Sequence, residues 1–172
     1  MLQFDTLIIG SGLAGLTLAL KLADHQQVGL ITKKSLLDSA SVWAQGGIAA
    51  VLSETDTLDA HTHDTLNAGA GLCDSIATRH VVEHGKEAID FLKSQGVSFT
   101  KDDTNNLGYH LTQEGGHSQR RIIHSADATG HAVQETLIEK VLKHPNITVL
   151  EKYMSVDLIT SKRLGLPGKR CF

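Results

Sequence analysis

The chain has 172 residues, long enough for one domain with a buried core. Its 41% hydrophobic and 20% charged residues are the balance of a soluble globular protein. A net charge of -3 with no polybasic block excludes recruitment by nucleic acid or by an anionic membrane. Two cysteines, Cys73 and Cys171, are too few and too scattered for a disulfide framework or a zinc cluster, which makes a reducing cytoplasm the simplest compartment.

Residues 4–10 read as a short buried strand, apolar and β-branched, ending at Gly10. Its apolar run at 7–9 lacks the basic flank and cleavage site of a targeting segment. Residues 13–25 read as a largely buried helix with Leu16, Ala19, Leu20 and Ala23 at helical spacing, and Lys21 and Asp24 exclude a membrane span there. A second strand is expected over 28–33. Strand, glycine turn, helix and strand fill about 30 residues, the size of one βαβ unit with a right-handed crossover.

Residues 35–52 are less periodic. A helix over 41–51 is conceivable, weakened in its middle by Gly46 and Gly47. Helices are expected over 58–70, over 76–84 with Asp74 or Ser75 as cap, and onward to Gln95 with Gly96 closing the last turn. A short strand at 97–100 and a polar turn at 101–108 follow. Asp127 and Thr129 are candidate caps for a helix reaching Lys143, with Val133, Leu137, Ile138 and Val141 on its apolar stripe and Pro145 just past its end. Residues 147–150 and 156–160 read as strands. The stretch 164–172 does not read as a finished domain edge, and the strands so far would leave a parallel sheet incomplete.

The chemistry begins at Gly10-Ser11-Gly12-Leu13-Ala14-Gly15, a G-x-G-x-x-G pattern. It follows a strand and opens a helix, the context a dinucleotide site requires; the alternative is an ordinary strand-to-helix turn. The first glycine permits the tight turn, the second lets backbone approach a pyrophosphate, and the third packs helix on strand. The helix N-terminus then offers N–H groups and a positive dipole end to phosphate. An acidic residue about 20 positions on would bind an NAD ribose. Thr32 and Lys33 stand there instead, which weakens a plain NAD site and leaves FAD open through the Thr32 hydroxyl and the Lys33 backbone. In Trp43-Ala44-Gln45-Gly46-Gly47, small residues beside an amide suit either close approach to a flat ring or a plain glycine kink.

The segments Gly10–Gly15, Ala44-Gln45-Gly46-Gly47, Glu114-Gly115-Gly116-His117-Ser118 and Asp127-Ala128-Thr129-Gly130 stand in the order found in the succinate dehydrogenase/fumarate reductase flavoprotein family. The chain resembles that family over nearly its whole length. Through 44–51, 109–118 and 164–168 it most resembles the L-aspartate oxidase branch. The resemblance implies an α/β fold: a Rossmann-like FAD-binding domain of the glutathione-reductase type, incomplete in this chain. Residues 1–172 would be its N-terminal part. The rest of that domain, a capping domain and a C-terminal helical domain would follow Phe172 with the main catalytic residues, and the 172 residues alone are expected to lack oxidase activity.

Carried over position by position, the resemblance puts Gly10, Ser11, Gly12, Leu13, Ala14 and Gly15 on the FAD pyrophosphate and Lys33 near the adenosine ribose. Ala40, Ser41, Val42, Trp43, Ala44, Gln45, Gly46 and Gly47 would wrap the pyrophosphate, ribityl chain and isoalloxazine. Met154 and Ser155 would meet the adenine side through their backbone. Respiratory members of the family carry a histidine covalently bonded to FAD seven residues before the second glycine of the Ala44–Gly47 motif. Here that position is Ala40, which implies a non-covalent flavin. Glu114 stands where dicarboxylate dehydrogenases carry an apolar residue. A carboxylate there suits the ammonium group that aspartate has and succinate lacks, although without the resemblance Glu114 would read as a solvated loop carboxylate. The implied activity is oxidation of L-aspartate to iminoaspartate, with oxygen or fumarate reoxidising FAD and quinolinate synthase as a candidate partner in NAD biosynthesis. The alternatives are a soluble, non-covalent fumarate reductase or succinate dehydrogenase-type flavoprotein, and an inactive truncated FAD-binding module.

The ten histidines suggest no metal site. His61 and His63, on a helix, would point about 200° apart, and Gly115–Gly116 interrupts any helix through His110, His117 and His124. Arg120 and Arg121 are candidate carboxylate binders or internal ion-pair partners. Cys73 reads as a small buried hydrophobe.

Overall fold

The computed structural model describes residues 2–125 and 128–171. In chain order the elements are β1 (Thr6–Ile9), α1 (Leu13–Ala23), β2 (Val28–Thr32), a 3-10 turn (Ala40–Trp43), β3 (Ile48–Ala49), α2 (Leu58–Ala68) and α3 (Ser75–Glu83). Then come α4 (Gly85–Ser94), β4 (Leu111–Thr112), β5 (Ile122–Ile123), α5 (Thr129–Lys143) and β6 (Ile147–Glu151). They fall into two compact units, Met1–Asp38 with Val141–Phe172, and Ser39–Lys140. Among the described residues no helix is long and apolar enough to cross a membrane.

The first unit is built on a parallel sheet of order β1-β2-β6, with Thr6 opposite Val28 and Val28 opposite Ile147. Val28–Thr32 is apolar and β-branched apart from Gly29, and all five of its residues are buried, as a central strand requires. A side chain at Gly29 would begin 2.6 Å from the Phe4 ring, so the ring would have to shift to admit one. α1 packs on β1 and β2 and buries Leu16, Ala19 and Ala23. Asn146 joins the layers: its Nδ2 donates to the Ala23 carbonyl at 2.8 Å, and its own carbonyl accepts from the Val28 N–H at 2.8 Å.

Two expectations about this unit need correction. The strand expected over 4–10 begins at Thr6, and Leu7 and Ile9 are 51% and 54% exposed. Among the described residues β1 pairs only with β2, so it is an edge strand that buries one face. The stretch 156–160 is not a strand. Residues 151–159 are exposed, and the tail pairs with itself through the Thr160–Cys171 bridge and the Ser161 N–H to Arg170 carbonyl bond of 2.8 Å.

The second unit carries an antiparallel sheet of order β3-β5-β4, in which Ile48 and Leu111 both face Ile123. Residues 41–51 are not an α-helix: the 3-10 turn ends at Trp43, and the chain then straightens into β3. Gly47 explains why. A side chain there would begin 2.3 Å from the Ile123 carbonyl oxygen, so only glycine lets this segment lie against β5. Residues 97–100 form no strand; Thr100 N–H donates to the His124 carbonyl at 2.8 Å.

The helices follow their signals. Thr57 caps α2 by accepting from Ala60 N–H, Asp74 caps α3 by accepting from Ala77 N–H at 2.8 Å, and Gly96 closes the end of α4 at φ +100°. In α5, Val133, Leu137, Ile138 and Val141 are buried as their spacing predicts. Thr129 is its first residue, and the Thr129 hydroxyl accepts from the Ser125 N–H at 3.0 Å. The other expected cap, Asp127, lies outside the described residues.

Candidate dinucleotide and substrate site

In the first unit the glycine turn has the geometry its sequence requires. Gly10 sits at φ +110°, a conformation that disfavours any side chain. Gly12 is the N-cap of α1, with no side-chain cap and no acidic residue in the first turn. The positive end of the helix thus carries neither a side-chain cap nor a carboxylate of its own first turn, which suits an anion. A side chain on Gly15 would begin 2.0 Å from the Gly10 carbonyl oxygen, so the turn and helix close on one another only with glycine there.

Thr32 does not present its hydroxyl outward. It is 6% exposed, and its Oγ1 accepts from the buried Ser11 hydroxyl at 3.1 Å, which ties the glycine turn to the end of β2. Lys33 is exposed. Tyr153 N–H donates to the Thr32 carbonyl at 3.1 Å, so the chain leaving β6 runs beside 32–34, and Met154 and Ser155 follow it with exposed backbone surroundings. These first-unit residues fit a dinucleotide: a helix start without a side-chain cap, glycine at positions 10, 12 and 15, and exposed segments at the strand ends.

In the second unit, Ala40, Ser41, Val42 and Trp43 form the 3-10 turn, and Ala44 follows in extended geometry. The start of α5 seats against them. Gly130 N–H donates to the Ala44 carbonyl at 3.1 Å, and a side chain on Gly130 would begin 2.1 Å from the Ser41 carbonyl oxygen. Gln45 and Gly46 are exposed, so their backbone is reachable by a flat ring. Glu114 comes to the same place: its Oε2 is 3.5 Å from where a Gly46 side chain would begin. A cleft of about 640 Å³ lined by Gln113, Arg120, Tyr109 and His110, among others, holds none of residues 40–47.

The same unit holds a buried ionic cluster centred on Arg121. Arg121 is an internal partner. Its Nε and Nη2 donate to both Asp56 oxygens at 2.7 and 2.8 Å, and its Nη1 donates to Asp64 Oδ2 at 2.6 Å. Asp64 also accepts the Ser118 N–H and hydroxyl, each at 2.7 Å. These Ser118 bonds, with Arg121, hold the Asp64 carboxyl well below the ordinary carboxylate range. His61 is buried beside His117, ring centres 5.7 Å apart, and its Nδ1 has no hydrogen-bond partner. Burial, then the charge of Arg121, pushes the His61 imidazole below its usual value. His63 is exposed on the other side of α2. His110 and His124 share a 2.9 Å hydrogen bond through Nδ1 and Nε2. Among the described residues no group of three or more His, Cys, Asp or Glu could hold a metal ion. Cys73 is half-buried rather than buried, with its thiol 3.7 Å from the Thr65 carbonyl.

A family profile described as "FAD binding domain" matches residues 5–171. The chain belongs to the FAD binding domain family. FAD is therefore the cofactor to set against the turn at Gly10–Gly15. The FAD binding domain is 60% identical to "L-aspartate oxidase 1" of Ralstonia nicotianae over 170 residues, covering 99% of this chain and 32% of that protein. It is 53% identical to an L-aspartate oxidase of Pseudomonas aeruginosa over 174 residues, covering 98% and 32%. Its fold is similar to that of an E. coli quinol fumarate reductase, with a TM-score of 0.86 and 28% identity, over 92% of this chain and 27% of that one. The chain thus spans about a third of the length of the curated relatives it matches.

Proposed function

We propose that this FAD binding domain is part of an L-aspartate oxidase that oxidises L-aspartate to iminoaspartate, the first step toward quinolinate and NAD. The observation that carries the reading is the Glu114 carboxylate beside Gly46, at the segment Ala44–Gly47 assigned to the flavin ring. A negative group there favours a substrate that carries an ammonium, through a charge-assisted hydrogen bond. Identity of 60% and 53% to proteins named for that activity supports it.

In this reading Gly10, Ser11, Gly12, Leu13, Ala14 and Gly15 hold the pyrophosphate with backbone groups and the helix dipole, and Lys33, Met154 and Ser155 flank the adenosine half. Ala40 through Gly47 line the ribityl chain and isoalloxazine. Ala40 has no nucleophilic atom, so the flavin is held without a covalent bond. When bound, FAD accepts the electron pair that leaves the substrate. Glu114 orients the amino group so that the substrate C–H is presented to the ring. The finer fold is that of the glutathione-reductase type, the acceptor is oxygen or fumarate, quinolinate synthase is the downstream partner, and the compartment is the cytoplasm.

The test is Glu114→Gln in a full-length enzyme carrying this segment. The KM for L-aspartate rises about tenfold or more if a charge-assisted contact is lost. An unchanged KM removes the assignment. A second reading, a non-covalent fumarate reductase, is favoured by the likeness to the E. coli quinol fumarate reductase. It predicts turnover of succinate or fumarate, with no oxidation of aspartate.

A further inference from the structure

The turn that carries Glu114 is held by hydrogen bonds within it and by a pair of bonds to α2. Within the turn, Gln113 Nε2 donates to the His117 carbonyl at 2.7 Å, His117 N–H donates to the Glu114 carbonyl at 3.2 Å, and Gly116 takes φ +84°. At its far end, Ser118 is fixed twice to Asp64 Oδ2, through its N–H and its hydroxyl. Asp64 lies on α2 and is fixed in turn by Arg121, whose other face is locked to Asp56. One carboxylate oxygen therefore collects three donors, two of them from the residue that ends the turn.

Burying a guanidinium between two carboxylates is weak evidence for stability, because desolvation consumes much of the attraction. In some proteins such a cluster instead fixes one geometry among several. The geometry it holds here ends in Glu114, an exposed carboxylate. Among the described residues no cation forms an ion pair with Glu114, so the turn itself does not neutralise it. We propose that Asp64 and Ser118 are positioning residues: they set the 113–118 turn so that Glu114 stands beside Gly46, ready for the ammonium group of an amino-acid substrate. The inference rests on the aspartate-recognition reading of Glu114.

The experiment is a double-mutant cycle on aspartate KM and kcat in a full-length enzyme carrying this segment. Ser118→Ala removes one of the three donors and leaves the Arg121–Asp56 pair intact, so it tests the clamp without dismantling the core. Alone it raises aspartate KM about tenfold and moves kcat less than about threefold. On a Glu114→Gln background the same substitution leaves KM unchanged, since the group it positions no longer carries the charge. Asp64→Asn behaves likewise and also speeds amide exchange at Ser118, which Glu114→Gln does not. An equal KM rise from Ser118→Ala on both backgrounds overturns the proposal, because the clamp would then act elsewhere. So does an unchanged KM in Ser118→Ala when Glu114→Gln alone raises it. If Glu114→Gln alone leaves aspartate KM unchanged, the reading of Glu114 fails first and the proposal falls with it.

Discussion

Arg121 meets Asp56 through two parallel hydrogen bonds, and neither side chain is more than 1% exposed. Asp64 and the His117 ring nitrogen complete the surroundings of the guanidinium, and Asp56 also accepts the Thr57 N–H at 2.8 Å. Removing one partner strands the rest in a dry interior, which costs about 3–5 kcal/mol. Arg121→Met and Asp56→Asn are each expected to destabilise the chain by that order in urea denaturation. Replacing Arg121 by Met, Asp56 by Val and Asp64 by Ala together recovers most of the loss, because an apolar set of similar volume needs no pairing. A triple variant as unstable as the single ones would show that the cluster contributes more than its own pairing.

The same cluster makes stability depend on pH in two windows. Asp64 titrates below its ordinary value of 3.8 in the folded chain, so its contribution is complete above about pH 4 and is lost as pH falls further. His61 works from the other side. Its folded pKa is lowered from 6.5 by burial and by Arg121 and His117, with Asp56 and Asp64 opposing them. Below 6.5 the unfolded state takes up the proton first, so stability begins to fall as pH drops through that value. Thermal unfolding midpoints should decline from about pH 6.5 downward and then more steeply below about pH 4. His61→Leu should flatten the first decline and leave the second. A first decline that survives this substitution assigns it to another histidine.

The parts of this molecule legible in the sequence were those fixed by local periodicity or by a cap. The βαβ unit, the helices capped by Asp74 and closed by Gly96, and the stripe Val133–Leu137–Val141 needed only neighbouring residues to declare them. The antiparallel sheet did not, because its strands are two residues long and too short for alternation to register. Val97–Thr100 and Val156–Thr160 have strand composition but find no continuous partner, and pairing is a tertiary property that composition does not carry. At the site, Gly15 and Gly47 were visible as motif glycines, while the clash each avoids, with Gly10 and with Ile123, belongs to the fold. Arg121 gave a weak signal in standing directly before the apolar pair Ile122–Ile123. Its partners, 65 and 57 positions upstream, gave none.

Gly15 offers a direct test of the dinucleotide grip. A methyl group there would meet the Gly10 carbonyl oxygen, a backbone atom that cannot swing aside. Gly15→Ala should therefore separate α1 from the turn, at a cost of about 1–3 kcal/mol by analogy with overpacked cores. It should also weaken FAD binding at least about tenfold, since the N–H groups of the turn move with the helix. Quenching of FAD fluorescence on titration measures the second effect, and thermal unfolding the first. Equal FAD affinity in Gly15→Ala and the parent would take the pyrophosphate away from this turn.

The contact between α5 and the segment before β3 can be read optically. Trp43 is the only tryptophan in the chain, lies at the end of the 3-10 turn and is 78% exposed. Gly130 presses on this segment: a side chain on it would begin 2.1 Å from the Ser41 carbonyl and 2.7 Å from that of Ala44. Gly130→Ala must displace residues 41–44, and both obstacles are backbone, so the whole turn has to move with Trp43. The expected result is a changed Trp43 emission or anisotropy together with a loss of about 1–3 kcal/mol. Gly115→Ala is the matched control for stability, because a side chain there meets nothing within 4 Å and Gly115 is not among the positive-φ glycines. It should leave both the unfolding midpoint and the Trp43 signal in place. A Gly130→Ala chain with unaltered Trp43 emission and stability would mean that α5 does not fix the turn, and that the Ala44 carbonyl is held by other contacts.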